Sequence, residues 1–173
     1  MKKQFIYTLF FAFSIAFTGC SEEQIYASWK KKGENFLKNN KEVITTSSGW
    51  QYKVLSTGLT SDRPKYGNFV KINYTRGTLK DSMLEDDLEP INSGNEESFY
   101  IDGIFSGELN KLTLGEQDAL TRMTLGSKWR IYVPQELAYG KDGVNISTDK
   151  KKKDYKIKPY SVIIFEVEIL SIY

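Results

Sequence analysis

Residues 129–140, "WRIYVPQELAYG", begin as a strand and end as a turn. Trp129, Ile131 and Val133 alternate with Arg130 and Tyr132, the period of two that puts one set of side chains on one face of a sheet. Pro134 has no N–H to offer a neighbouring strand, so the ladder stops there. Ala138-Tyr139-Gly140 then sets an aromatic ring between two small residues just past the strand end. Such a tyrosine is either a plain turn residue or the rim of a pocket, and other parts of the chain decide between the two.

The same period recurs from residue 48 onward in short runs separated by turn residues, the pattern of a mainly antiparallel sheet. "GWQYKVLSTG" puts Trp50, Tyr52 and Val54 on one face, and "FVKINYTRG" does so with Val70, Ile72 and Tyr74. "ESFYID" is a third strand, "KWRIYV" a fourth, and "SVIIFEVEILSI" a fifth with Ile163, Phe165, Val167 and Ile169 on one side. Between the third and fourth, "GEQDALTRMTLG" spaces Ala119, Leu120 and Met123 as a short helix with Gly126 as its stop. About five strands curved against one short helix make an α+β fold. No internal repeat is present, and "DKKKKD", containing Lys150 to Lys153, reads as a solvated polar loop, the alternative being a contact for an acidic partner.

The chain has 173 residues, room for one ordinary domain with extensions. Aromatic residues form 14% of it and charged residues 27%, a globular rather than a disordered composition. Its formal charge of +2 resides in Lys2 and Lys3, so the chain from Cys20 onward is neutral and has no general electrostatic reason to bind nucleic acid. With no histidine, serine-histidine and cysteine-histidine catalysis and histidine-ligated metals are excluded.

Met1-Lys2-Lys3 followed by the apolar run "FIYTLFFAFSIAF" (Phe5 to Phe17) reads as a secretory signal, too short for a membrane span. The run ends in "FTGC", which resembles the lipobox of bacterial lipoproteins, although Phe17 stands where leucine is usual. That resemblance implies that residues 1–19 are removed and that Cys20, the only cysteine, carries the lipid. The alternative is an ordinary signal followed by a free thiol. Ser21-Glu22-Glu23 is similar to the surface-export signals of some Bacteroidetes lipoproteins. Residues 20–46 then form a tether of one or two short amphipathic helices with Ile25, Trp29, Phe36 and Leu37 on a stripe interrupted at Gly33. The stripe either packs on the domain, the favoured reading, or serves as a spacer or dimerisation arm. The domain proper spans 47–173.

Laid end to end, "FLKNNKEVITTSSGWQYKVLSTG", "PKYGNFVKINYTRGTLKD", "ALTRMTLGSKWRIYVPQELAYG" and "IKPYSVIIFEVEIL" resemble the FKBP-type peptidyl-prolyl isomerases, in particular their exported bacterial branch with an N-terminal helical extension. The resemblance implies an apolar groove in which Tyr139 donates its hydroxyl to a carbonyl of a bound X-Pro segment, with Tyr74 lining the groove and Phe165 as an aromatic wall. It further implies substrate contacts from Phe99, Leu112 and Ile157. Leu84 and Glu85, with Asp86 as a rival to Glu85, fall where the family has a Phe-Asp pair. Glu116 falls where it has the tryptophan of the groove floor. A carboxylate there suits a helical first turn but is costly beneath a proline ring. Ile101 to Gly115 reads as a lengthened loop from which Ile104, Phe105 or Leu109 fills the gap.

Such a groove needs no acid, base, metal or cofactor. Twisting the X-Pro amide meets a barrier of roughly 18 to 20 kcal/mol set by resonance. A dry aromatic surround favours the twisted, less polar state. The sequence therefore carries two functional expectations. One is a weak, lipid-anchored isomerase of the cell envelope, outer-membrane, periplasmic or surface-facing, acting on proline-containing segments of exported proteins. The other is a non-catalytic peptide-binding or chaperone-like module on the same fold.

Overall fold

The computed structural model describes residues 22–80, 92–93, 97–146 and 155–173. Each alternating run of the sequence lies in a strand, and the order along the chain is α1 (Glu22–Asn39), β1 (Ile44–Thr45), β2 (Gln51–Ser56), β3 (Phe69–Leu79), β4 (Asn92–Ser93), β5 (Glu97–Glu108), α2 (Leu114–Arg122), β6 (Lys128–Val133), β7 (Val144–Ile146), β8 (Tyr155–Ile157) and β9 (Ile163–Ile172). Seven of the strands form one antiparallel sheet in the order β1-β2-β6-β9-β3-β5-β4, and β7 pairs with β8 apart from it. The five long strands are those expected. β1 and β4 add two-residue edges too short to leave a periodic trace.

The inner face of the sheet buries Trp50, Val70, Ile72, Ile131, Val133, Ile163, Phe165, Val167 and Ile169 against Ala119, Leu120 and Met123 of α2. The helix is tied down through Asp118, whose Oδ2 accepts the Trp50 indole N–H at 2.6 Å while Arg122 bonds the same carboxylate and lies 5.4 Å over the Trp50 ring. α2 stops at Arg122, before Gly126, because Met123 is already extended at φ −77°, ψ 148°.

Two expectations about local structure are corrected. Residues 101–108, read as loop, are strand, in register with β3 from Phe69↔Glu108 to Arg76↔Ile101. The inward positions are Ile101, Gly103, Phe105 and Gly107, so two glycines hide the apolar period. Gly107 is required there: a Cβ would stand 2.8 Å from Cζ of Phe105, whose ring covers it. Likewise α1 is one continuous helix through Gly33. A Cβ at Gly33 would meet Cγ2 of Val162 at 2.9 Å, so the glycine serves close approach to the sheet rather than a break.

That approach seats α1 on the outer face. Phe36, Leu37 and Val43 pack on Leu79, Tyr132, Val162 and Ile164, with Phe36 and Tyr132 ring centroids 5.7 Å apart. Gln51 Nε2 donates to the Leu37 carbonyl and Lys32 Nζ to that of Lys80, both at 2.7 Å. The stripe therefore packs on the sheet. Gly33→Leu is expected to force α1 off Val162 and lower stability by about 1 to 3 kcal/mol, despite the gain of about 1 kcal/mol in helix propensity. Thermal unfolding, with amide exchange resolved in α1, measures it.

Candidate substrate groove

The period of β3 puts Tyr74 and Arg76 on the inner face, and the register Arg76↔Phe165 puts Phe165 of β9 beside them. The rings of Tyr74 and Phe165 meet at 5.5 Å and 45°, a tilted contact. Phe165 is wholly buried and Tyr74 half-buried.

Tyr139 is placed by the turn that follows β6. After Pro134, residues 135–137 make a single 3-10 turn. The Gly140 N–H then returns to the Gln135 carbonyl at 3.0 Å, and the Gly140 carbonyl receives the Tyr160 N–H at 2.8 Å. Gly140 has φ +58°, a left-handed conformation open to glycine at little cost. The turn is thus closed at both ends, and the half-buried Tyr139 between them packs on the main core. Burial raises the Tyr139 pKa above the usual phenol value; Arg76 opposes the rise while Glu116 and Tyr74 add to it. The hydroxyl is a proton donor within electrostatic reach of all three.

Glu116 is fully buried at the third position of α2. Its Oε2 accepts the Thr113 N–H at 3.0 Å, the capping arrangement that its spacing from Thr113 foreshadows. Its Oε1 accepts from Arg76, Nε at 3.0 Å and Nη2 at 2.8 Å. The guanidinium lies 5.4 Å from the Tyr74 ring centroid and 5.3 Å from that of Phe165. Burial works against its charge, but Glu116, Tyr139 and Tyr74 outweigh that and raise the Arg76 pKa. The carboxylate is therefore not a bare charge: it is half of an ion pair whose other half fills the place expected of Ile104, Phe105 or Leu109. Ile104 faces outward at 55% exposure, Leu109 is buried in the core and Phe105 is half-buried against it.

Arg76 is the residue that sequence reasoning passed over. Its signal was present, since it lies two residues beyond Tyr74 on an inward position, where a cation demands a carboxylate. Of the other expected residues, Leu112 and Ile157 are buried in the main core. The Leu112 main chain is engaged internally: its N–H donates to Leu109 at 3.1 Å and its carbonyl accepts from Gln117 Nε2 at 2.7 Å. Phe99 lies in β5 opposite Gly77 and Asn92. Leu84, Glu85, Asp86, Cys20 and the Lys150 to Lys153 loop lie outside the described residues.

Residues 60–170 match the family model of the FKBP-type peptidyl-prolyl cis-trans isomerases. Over 152 residues the chain is 32% identical to the FKBP-type 22 kDa peptidyl-prolyl cis-trans isomerase of Escherichia coli (strain K12), covering 86% of this chain and 64% of that protein. It is 31% identical over 146 residues to the outer membrane protein MIP of Legionella longbeachae, covering 83% of this chain and 54% of that one. Among solved structures it resembles FkpA from Escherichia coli with a TM-score of 0.66 at 27% identity, over 87% of this chain and 62% of that one. The chain thus spans between half and two thirds of the length of these relatives. By the family match, and by that identity over most of its length, the chain belongs to the FKBP-type peptidyl-prolyl cis-trans isomerase family.

Proposed function

We propose that the protein is a peptidyl-prolyl cis-trans isomerase of low turnover, acting on proline-containing segments of exported proteins and held to a membrane of the cell envelope by a lipid on Cys20. The observation that supports the activity is the contact of the Tyr74 and Phe165 rings on the inner sheet face, with Tyr139 packed on the same core and within electrostatic reach of Tyr74. On this reading the two rings supply a dry wall on which the X-Pro amide loses hydration, and the twisted state gains because it is less polar. Tyr139 orients a substrate carbonyl through its hydroxyl. Nothing in the step transfers a proton, so a chain without histidine suffices. The substrate-facing roles of Phe99, Leu112, Ile157, Leu84 and Glu85 belong to the same proposal.

The buried Arg76–Glu116 pair favours a second reading, a groove that binds peptide without turning it over. Isomerisation of a proline-containing peptide by the chain from Ser21 onward separates the two. Turnover above the uncatalysed rate supports the enzyme, and binding without turnover supports the module. Tyr139→Phe is expected to weaken peptide binding by about 0.5 to 1.5 kcal/mol with the fold retained. Because Tyr139 titrates above its ordinary range, kcat/KM should stay flat from about pH 6 to 9 and fall only beyond about pH 10, as the hydroxyl is lost. A decline below pH 9 would assign the required group elsewhere.

The location rests on "FTGC" and is supported by the name of a relative, the outer membrane protein of Legionella longbeachae. Cys20→Ser should release the chain from the membrane fraction and abolish incorporation of labelled fatty acid. Retention without Cys20 would refute the anchor.

The ion pair sets a further expectation. Glu116→Trp restores an aromatic floor but strands a buried Arg76, so stability should fall by about 3 to 5 kcal/mol with no gain in rate. Adding Arg76→Leu should recover most of the loss and raise turnover several-fold. Chemical denaturation and the isomerase assay read the two effects.

A further inference from the structure

The Arg76–Glu116 pair is unequal in what it shows to solvent. Glu116 is 0% exposed with both oxygens bonded, whereas the Arg76 side chain keeps 11% of its surface open. Nε and Nη2 of Arg76 point at Glu116, and no hydrogen-bond partner for Nη1 is found among the described residues. The pair is formally neutral, but its only open end is the cationic one. The rings of Tyr74 and Phe165 flank the guanidinium, and the Glu116 bonds fix its tilt.

An acceptor reaching Nη1 from the groove stands closer to the guanidinium than to the carboxylate behind it. Attraction therefore exceeds repulsion, and partial burial enlarges the difference relative to water. A main-chain carbonyl satisfies the same donor, but every peptide has one, so it does not discriminate. A charged side chain does. Resting on the isomerase reading above, we propose that Arg76 is a specificity-determining residue of the groove, selecting X-Pro segments with an acidic side chain flanking the proline and disfavouring those with lysine there.

Three peptides differing only in Glu, Gln or Lys beside the proline test this, each measured for turnover and, independently, for affinity by fluorescence anisotropy. The wild-type protein should favour Glu over Lys by about tenfold with Gln between, and the ratio should shrink as salt is raised. Arg76→Met/Glu116→Gln removes both charges without stranding either, and should bring the ratio close to one. A wild-type ratio near one, a preference for lysine, or a ratio unmoved by the double variant overturns the assignment. Charge-ranked affinity without turnover of any peptide leaves Arg76 as the selector and defeats the isomerase reading instead.

Discussion

A buried ion pair joins the helix of this fold to its sheet beside the rings of Tyr74 and Phe165. Arg76 reaches from the middle of β3, Glu116 from the first turn of α2, and neither is stable in its position without the other. Removing a carboxylate-sized ion from water costs several kcal/mol even after relaxation, which only close pairing and full hydrogen bonding offset. Glu116 meets both conditions. One oxygen takes two donors from Arg76, and the other caps the helix through Thr113. The negative charge near the helix N-terminus adds a favourable dipole interaction. Capping and counter-ion are thus one side chain, and the helix start and the inner sheet face at Arg76 are positioned together.

The middle of α2 is fastened by a different device. Asp118 accepts the indole N–H of a fully buried Trp50 and a two-toothed contact from Arg122, so β2 and the helix share a polar link inside an apolar interface. Directly after Asp118 come Ala119 and Leu120, both with no exposed surface. A short helix of nine residues has little stability of its own, so packing and these two anchors hold it against the sheet. On the opposite face, α1 covers Tyr132 and Ile164.

Much of this was legible in the sequence because alternation survives wherever strand residues are apolar or polar in turn. The five long strands and the short helix follow from that period, whereas the grouping of Tyr74, Phe165 and Tyr139 was an implication of the family resemblance and not of the period. What escaped had a physical reason in each case. The second half of β5 carries glycines at inward positions, so hydrophobicity cannot report its faces. Gly33 weakens helix propensity locally, but propensity is overridden when a neighbouring side chain, here Val162, leaves no room for a Cβ. Arg76 was hidden because a cation at an inward position makes sense only with its partner, forty residues away, and Glu116 alone looked like a misplaced floor.

The pair also bears on how much an X-Pro amide would gain from this groove. Twisting the amide removes resonance and reduces its dipole, so a strong local field favours the planar ground state and works against the reaction. Two opposite charges with N···O contact at 2.8 Å act at a distance as a dipole rather than as ions, and their field decays faster than that of either charge. An amide held against the Tyr74 and Phe165 rings, on the apolar side of the guanidinium, would feel a reduced version of that penalty, whereas one drawn down onto Nη1 would feel it in full. On the proposed isomerase reading, the same donor would oppose twisting when the acceptor is the carbonyl of the rotating X-Pro amide and would be neutral to twisting when the acceptor is a flanking side chain. A groove built this way can bind with charge selectivity and still turn over slowly, provided the charged contact falls beside the proline and the rings keep the amide itself.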